Sequence, residues 1–390
     1  MRILMVHNDY AQPSGEEYAV EAIASLLRSE GQDVLWFRRS SAEIAGSMAG
    51  QVRAFFSGIY SFSTRCAMTD LLNREHVDVV QVQNLYPLIS PAGLVPCRKR
   101  GLPVVMRCPN YRLFCPTGLH LHNGHICERC VGNKTWWCVM QNCEGRVMKS
   151  LGYALRNATA AFARLITGNV DIFLVLSEFQ KRRFVQGGIE ESRIEVLPNI
   201  VEPKALLDGA AVGETVAFVG RLSPEKGVDD FLAAARALPQ YHFAVAGDTS
   251  GMPNAVAAAP RNVEFCGFLR GKDLDEFYAR ARVLVAPSVW FEGFPNTVGS
   301  AMGMGKPVIA SRLGALPEIV DDGGTGLLFE PGNVGDLVEK IDHLWKRPDL
   351  CRQMGEAGHA KVEREYAPRV CYERLMAAYE KAAIVASRRR

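Results

Sequence analysis

The sequence predicts an α/β chain built from two doubly wound, Rossmann-like domains, and three observations carry that prediction. Short β-branched apolar runs alternate with helical patterns almost from end to end, the signature of βα units around parallel sheets buried on both faces. The rhythm breaks once, over residues 201–214 ("VEPKALLDGAAVGE"), and then restarts. The 390 residues amount to two or three domains of ordinary size, with 48% apolar and 22% charged residues, a composition that excludes disordered and collagen-like chains.

The elements follow in order. Residues 2–6, 33–37, 78–82, 104–107, 172–177 and 194–198 read as strands. Between the first two, residues 17–30 carry Val20, Ile23, Leu26 and Leu27 at helical spacing. After the break, 216–220, 243–247, 263–266, 283–286, 307–311 and 326–329 read as strands, with helices near 227–238, 273–282, 334–346 and 348–365. The expected division is a first domain over 1–203, with a cysteine-rich loop at 108–143, a second over 204–370, and a C-terminal helix over 371–390 that returns toward the first. Ligands of such sheets bind at the carboxyl ends of the strands, so two facing domains would hold their site in the cleft between them.

Charge and apolar runs narrow the class further. Residues 1–200 hold 22 Lys+Arg against 17 Asp+Glu, while the remainder holds 23 against 25. So mild an asymmetry suits an anionic lipid or acceptor at most and gives no footprint for nucleic acid. Met1 to Val6 run straight into polar residues, as a first strand does and a signal peptide does not. No stretch of about eighteen uncharged apolar residues is present to span a bilayer. The expectation is a cytoplasmic protein that touches the inner face of the membrane. A candidate contact is the region of Arg146, Lys149, Arg156 and Arg164 with Val147, Met148, Leu151, Leu155, Phe162 and Leu165. An ordinary amphipathic helix covering the sheet has the same pattern.

Six of the eleven cysteines fall between 108 and 143. In a reducing compartment such clustering favours metal ligands over disulfides. Cys127 and Cys130 form a Cys-x2-Cys knuckle that Cys115 and Cys143 complete to four thiolates, a set suited to structural zinc. Cys138, His120, His122 and His125 compete as ligands, and free thiols or two disulfides are the alternatives.

Two stretches of the second half carry the chemistry. In "AFVGRLSPEKG" a strand stops at Gly220, Arg221 follows at once, and Lys226 stands just before the next helix. Two cations at a strand end and helix start suit a diphosphate; two solvated loop cations would look the same. In "FEGFPNTVGSAMG", residues 291–303, the chain turns at Glu292-Gly293-Phe294-Pro295, Asn296 is a good N-cap, and a helix is expected over 297–304. The amides of its first turn offer a second anion-binding surface, and Gly293 removes a Cβ that would hold a ligand away. Glu292, an acceptor, suits neutral hydroxyls beside the diphosphate, as on a sugar. Gly299, Ala301 and Gly303 permit close helix packing.

"FVGRLSPEKGVDDFL" and "PSVWFEGFPNTVGSAMGMGKPVIASRLGALPEIVDDGGTGLLFEPGN" together resemble the donor-binding half of the family 4 retaining glycosyltransferases of GT-B fold. "PSGEEYAVEAIASLLRSEGQDV", "VVQVQNLYPLISP", "NYRLFCPTG", "CERC" and "LVLSEFQKRRF" resemble a branch with a cysteine-rich insertion in the N-terminal domain. The resemblance implies transfer of a sugar from a UDP- or GDP-linked donor to a saccharide or lipid-linked saccharide, with retention and without a catalytic metal, in bacterial surface polysaccharide synthesis. By the resemblance Arg221 and Lys226 hold the diphosphate, and Glu292 contacts the donor sugar. The amides of Phe294 to Thr297, through Pro295 and Asn296, face sugar and phosphate, Gly15 lies near the phosphate, and Gly267 and Phe268 surround the base. Asn84, Pro109 and Asn110 fall on the acceptor side.

Three departures qualify the resemblance. Ser300 stands where the family's second acid clamps the ribose, Pro109 replaces a histidine at the reacting centre, and Gln81 and Gln83 replace histidines of the branch motif. A non-catalytic nucleotide-sugar-binding relative and a nucleotide-sugar epimerase are the rival readings. No Gly-x-Gly-x-x-Gly follows the first strand, which disfavours a nicotinamide dehydrogenase.

Overall fold

The computed structural model describes residues 1–10, 15–44, 55–206 and 213–389. Part of the expected linker, 207–212, and Ser14 lie outside them. The chain forms two compact units. The first comprises Met1–His120, Cys127–Ile200 and Cys371–Arg390; the second comprises Leu121–Ile126 and Val201–Val370.

The strands of the first unit are β1 (Arg2–Asp9), β2 (Asp33–Ser40), β3 (Val79–Asn84) and β4 (Val104–Arg107), followed after a small hairpin, β5 (Leu121–His122) and β6 (His125–Ile126), by β7 (Ile172–Val175) and β8 (Ile194–Val196). Six of them make one parallel sheet in the order β2-β1-β3-β4-β7-β8, with the hairpin apart. β3, β4 and β7 are buried at every residue, as strands covered on both faces must be.

The second unit orders β9 (Thr215–Val219), β10 (His242–Ala246), β11 (Val263–Phe265), β12 (Ala281–Ala286), β13 (Val308–Ser311) and β14 (Gly326–Phe329) as β11-β10-β9-β12-β13-β14, again all parallel. Strand order reverses between β1 and β3 in the first sheet and between β9 and β12 in the second. Those are the two switch points at whose carboxyl ends a doubly wound sheet opens a crevice.

The boundaries differ from expectation in identifiable ways. The division falls between Ile200 and Val201, three residues before the expected 203/204, because Val201 donates its N–H to the Tyr366 carbonyl at 2.9 Å. Val201 also packs so closely on the helix Asn296–Gly303 that a Cβ on Gly299 would sit 2.7 Å from its methyl group. The hairpin Leu121–Ile126, expected inside the first domain with the rest of loop 108–143, groups with the second unit. The helix Pro368–Ser387 buries Cys371, Leu375, Tyr379 and Ala382 in the core under β1, β3 and β4 of the first unit.

Residues 297–304 resolve as a helix over Asn296–Gly303 whose N-cap position is Pro295, in extended conformation with no side-chain cap. Asn296 is thus the first helical residue and not the cap.

Candidate functional site

At the second unit's switch point the loops after β9 and β12 are locked together. Lys226 ends a short 3-10 turn, and Gly227 follows in the left-handed conformation at φ 70°. A Cβ there would lie 1.8 Å from the Pro287 carbonyl oxygen, so only glycine lets the first loop pass under the second. The Val289 N–H donates to the Glu225 carbonyl at 3.0 Å and fixes the same junction.

This junction places Glu292, 4% exposed, against three donors. Lys226 Nζ, Ser288 Oγ and Trp290 Nε1 reach its Oε1 at 2.7, 2.7 and 2.9 Å. Bonds to a charged acceptor contribute about 1.5–3 kcal/mol each, so the carboxylate is held in one orientation. All three converge on one oxygen, which leaves Oε2 without a hydrogen bond among the described residues. Lys226 also lies 5.2 Å from the Trp290 ring centroid.

Lys226 and Glu292 are therefore brought into contact, whereas Arg221 is arranged differently. Its side chain is 65% exposed and ion-pairs with Glu225 within its own loop, its guanidinium bonding Ser223 and Glu225 and not Glu292. Ser288 and Trp290 were not singled out from the sequence; "PSVWFEG" shows only that a hydroxyl and an indole sit four and two residues before the acid.

The other donor-side residues of the second unit lie after β9 and β11 and at the start of the helix Asn296–Gly303. Gly220 follows β9 at φ 152°, and Gly267 follows β11 at φ 71°, its carbonyl accepting from the Gly247 N–H at 2.8 Å. Phe268 is exposed. Gly293 and Phe294 are buried, and the Phe294 ring packs edge-on against Tyr366 at 4.9 Å, so that side chain belongs to the core. Thr297 accepts the Tyr278 hydroxyl on its carbonyl at 3.1 Å. Ser300 hydrogen-bonds the same buried phenol, and its hydroxyl is thereby engaged inside the unit.

In the first unit, Asn84, Pro109 and Asn110 line one pocket. Asn84 donates to the Asn8 carbonyl at 3.0 Å and accepts from the Tyr86 N–H at 3.1 Å, while Asn110 accepts from the Arg112 N–H at 3.1 Å. Both amides hold the loops that shape the pocket. Gly15 opens the helix Gly15–Ser29, and the next residue, Glu16, lines the same pocket. Gln81 accepts the Tyr379 hydroxyl and so serves to seat the C-terminal helix.

The cysteine loop brings Cys115, Cys127 and Cys143 near Cys130. Burial, then the neighbouring Cys115 and Cys143, pushes Cys130 up to about 12. Cys138 and Cys143 hydrogen-bond each other, Cys115 Sγ lies 3.2 Å from Thr117 Oγ1, and Cys127 Sγ donates to Gln141 Oε1 at 3.6 Å. Among the described residues no group of three or more His, Cys, Asp or Glu is arranged to hold a metal ion. The His120 ring packs edge-on against Tyr111, and its Nδ1 hydrogen-bonds the Cys127 carbonyl.

Residues 213–347 match the family described as glycosyl transferases group 1. The chain is 33% identical over 217 residues to a D-inositol 3-phosphate glycosyltransferase of Mycobacterium sp. (strain KMS), a match covering 50% of this chain and 49% of that one. It is 31% identical over 221 residues to a glycosyltransferase of Methanocaldococcus jannaschii whose function is uncharacterized, covering 55% and 60%. The chain thus spans about half to three fifths of the length of these curated relatives. Among solved structures, the Anabaena protein HepE in complex with UDP and glucose superimposes with a TM-score of 0.69 at 17% identity, over 97% of this chain and 99% of that one. The fold is GT-B.

Proposed function

We propose that the protein transfers a hexosyl group from a nucleoside-diphosphate sugar to a hydroxyl of a saccharide or lipid-linked saccharide, with retention of anomeric configuration and without a catalytic metal. The observation that carries this reading is the buried Glu292 carboxylate, pinned through one oxygen by Lys226, Ser288 and Trp290 and open at the other to sugar hydroxyls. Arg221 and Lys226 supply positive charge where the leaving diphosphate develops its negative charge. In the step itself the acceptor oxygen bonds to the anomeric carbon as the carbon–phosphate-oxygen bond breaks, and a phosphate oxygen takes the acceptor proton.

The role in surface polysaccharide synthesis and the contact with the cytoplasmic membrane face are part of the same proposal. The helix Val147–Phe162 supports the second. Met148, Leu155 and Phe162, seven residues apart and hence on one face, are 68%, 40% and 94% exposed, while Arg156 and Asn157 are buried. No helix among the described residues is long and apolar enough to cross a membrane. Sedimentation with phosphatidylglycerol vesicles is expected for the intact chain and is expected to fall for Met148→Glu with Phe162→Glu; equal sedimentation of both would remove the membrane contact. Zinc in the cysteine loop is proposed on the proximity of its thiols, and elemental analysis of protein purified without added zinc decides it.

The central test is a panel of UDP- and GDP-sugars screened for thermal stabilisation and then for transfer. A bound donor raises the melting point with its concentration relative to Kd. Stabilisation with no turnover would favour the non-catalytic reading, and donor consumption without acceptor would favour the epimerase.

A further inference from the structure

A pocket of the first unit holds polar groups that no partner among the described residues satisfies. Gln83 is 2% exposed, and both its amide oxygen and its amide nitrogen lack a hydrogen-bond partner. Arg107 is equally buried; its Nη2 donates to Asn199 Oδ1, but Nη1 has no partner. β3 and β4 pair in parallel as far as Val82 opposite Met106, and the residues that follow them, Gln83 and Arg107, line the same pocket at that end of the sheet.

Unmet buried donors of this kind cost free energy, the more so on a charged group, and both residues line a pocket of about 30 Å³. That is room for roughly two groups of water size, too little for a sugar ring and enough for the two oxygens of a carboxylate. The charges point the same way. Arg107, Arg112 and the single carboxyl of Glu16 line the pocket, and the guanidinium of Arg156, stacked 4.1 Å from the centroid of the lining residue Tyr86, adds to the positive side. Arg112 spends Nη1 on the Tyr10 hydroxyl at 2.7 Å, and Tyr10 in turn donates to Glu16 at 3.2 Å. A monoanion would compensate the excess that remains.

We propose that this pocket binds the carboxylate of an acidic saccharide, so that the acceptor class is a sugar acid. One carboxylate oxygen accepts from Arg107 Nη1, the other from Gln83 Nε2, and Gln83 Oε1 takes an adjacent sugar hydroxyl. The assignment of this sugar as acceptor rests on the transfer reading above; carboxylate binding itself does not. The position of Arg107 supports a role for its charge, since it ends the otherwise apolar run Val104-Val105-Met106, where an uncharged residue would suit the buried strand better.

The test compares methyl β-glucuronide with methyl β-glucoside, titrated by calorimetry into the full chain with and without saturating UDP or GDP. The glucuronide is expected to bind at least tenfold tighter, and Arg107→Gln to erase that ratio while nucleotide binding stays intact. The wild-type ratio stands without any variant, and Gln83→Leu, which fills the same space without polar atoms, is expected to weaken the glucuronide as well. Equal affinities for the two glycosides, or binding of neither, would overturn the proposal by showing that water alone satisfies these groups. Glucuronide binding with no nucleotide binding would overturn the transfer reading and leave the carboxylate site standing.

Discussion

The two switch points make opposite use of polar side chains. In the second unit the loops after β9 and β12 close their charges on each other, with Lys226, Ser288 and Trp290 all committed to one oxygen of Glu292. In the first unit the ends of β3 and β4 leave Gln83 and one nitrogen of Arg107 unsatisfied among the described residues. The difference teaches where specificity resides. A preassembled carboxylate can meet the hydroxyls of many hexoses with little rearrangement, whereas buried donors without partners reject any ligand that fails to supply the missing acceptors. The second unit reads as the common part of the machinery and the first as the part that chooses.

The largest expected effect breaks the closed side of this contrast. Glu292→Gln keeps the shape of the side chain but removes its charge and puts an amide among three donors. Transfer measured as kcat/KM is expected to fall about 10²-fold, in the range found for losing one preorganised electrostatic group, with the circular dichroism spectrum unchanged. Retention of full activity would show that the sugar lies elsewhere. Lys226→Ala is expected to be of similar severity, since it removes both a phosphate partner and the cation beside Glu292.

Arg221→Ala comes next and is expected to be milder, about tenfold. The side chain is largely exposed and already paired with Glu225, and exposed charges are strongly screened. An effect on transfer as large as that of Lys226→Ala would mean that Arg221 leaves Glu225 to take up the diphosphate when the donor binds.

How much of this was legible follows from which groups the chemistry needs in sequence and which it needs only in space. The short continuous apolar runs located all six strands of each main sheet, because a strand buried on both faces can hardly be written otherwise. Glu292 and Lys226 were legible because they sit on short loops whose residues are dictated locally: Gly227 by the 1.8 Å approach of Pro287, the Gly-Phe-Pro turn by the start of a helix. Arg107 was not. It looks like the end of a strand, and its meaning appears only when the fold brings it and Gln83 to one pocket. The cysteine loop combines both cases. Its Cys-x2-Cys spacing is plain in the sequence, but only the folded loop shows that Cys115 and Cys143, distant in the chain, come near Cys127 and Cys130.

Ser300 gives the smallest and sharpest test, because two roles for one hydroxyl predict different numbers. By resemblance it occupies the place of an acid that clamps the ribose, but in the structure it hydrogen-bonds the Tyr278 phenol, which is 1% exposed and held at its other side by the Thr297 carbonyl. If Ser300 served only the core, Ser300→Ala would lower the melting temperature by a few degrees, as loss of one hydrogen bond worth about 1 kcal/mol does, and leave nucleotide affinity untouched. Ser300→Glu separates the readings: a longer side chain on the first turns of the helix Asn296–Gly303 passes beyond Tyr278. UDP or GDP affinity, measured by calorimetry, is expected to rise severalfold as the carboxylate accepts from ribose hydroxyls. Unchanged affinity in a folded Ser300→Glu variant would place the ribose away from this helix and detach the nucleoside from the position inferred for the diphosphate.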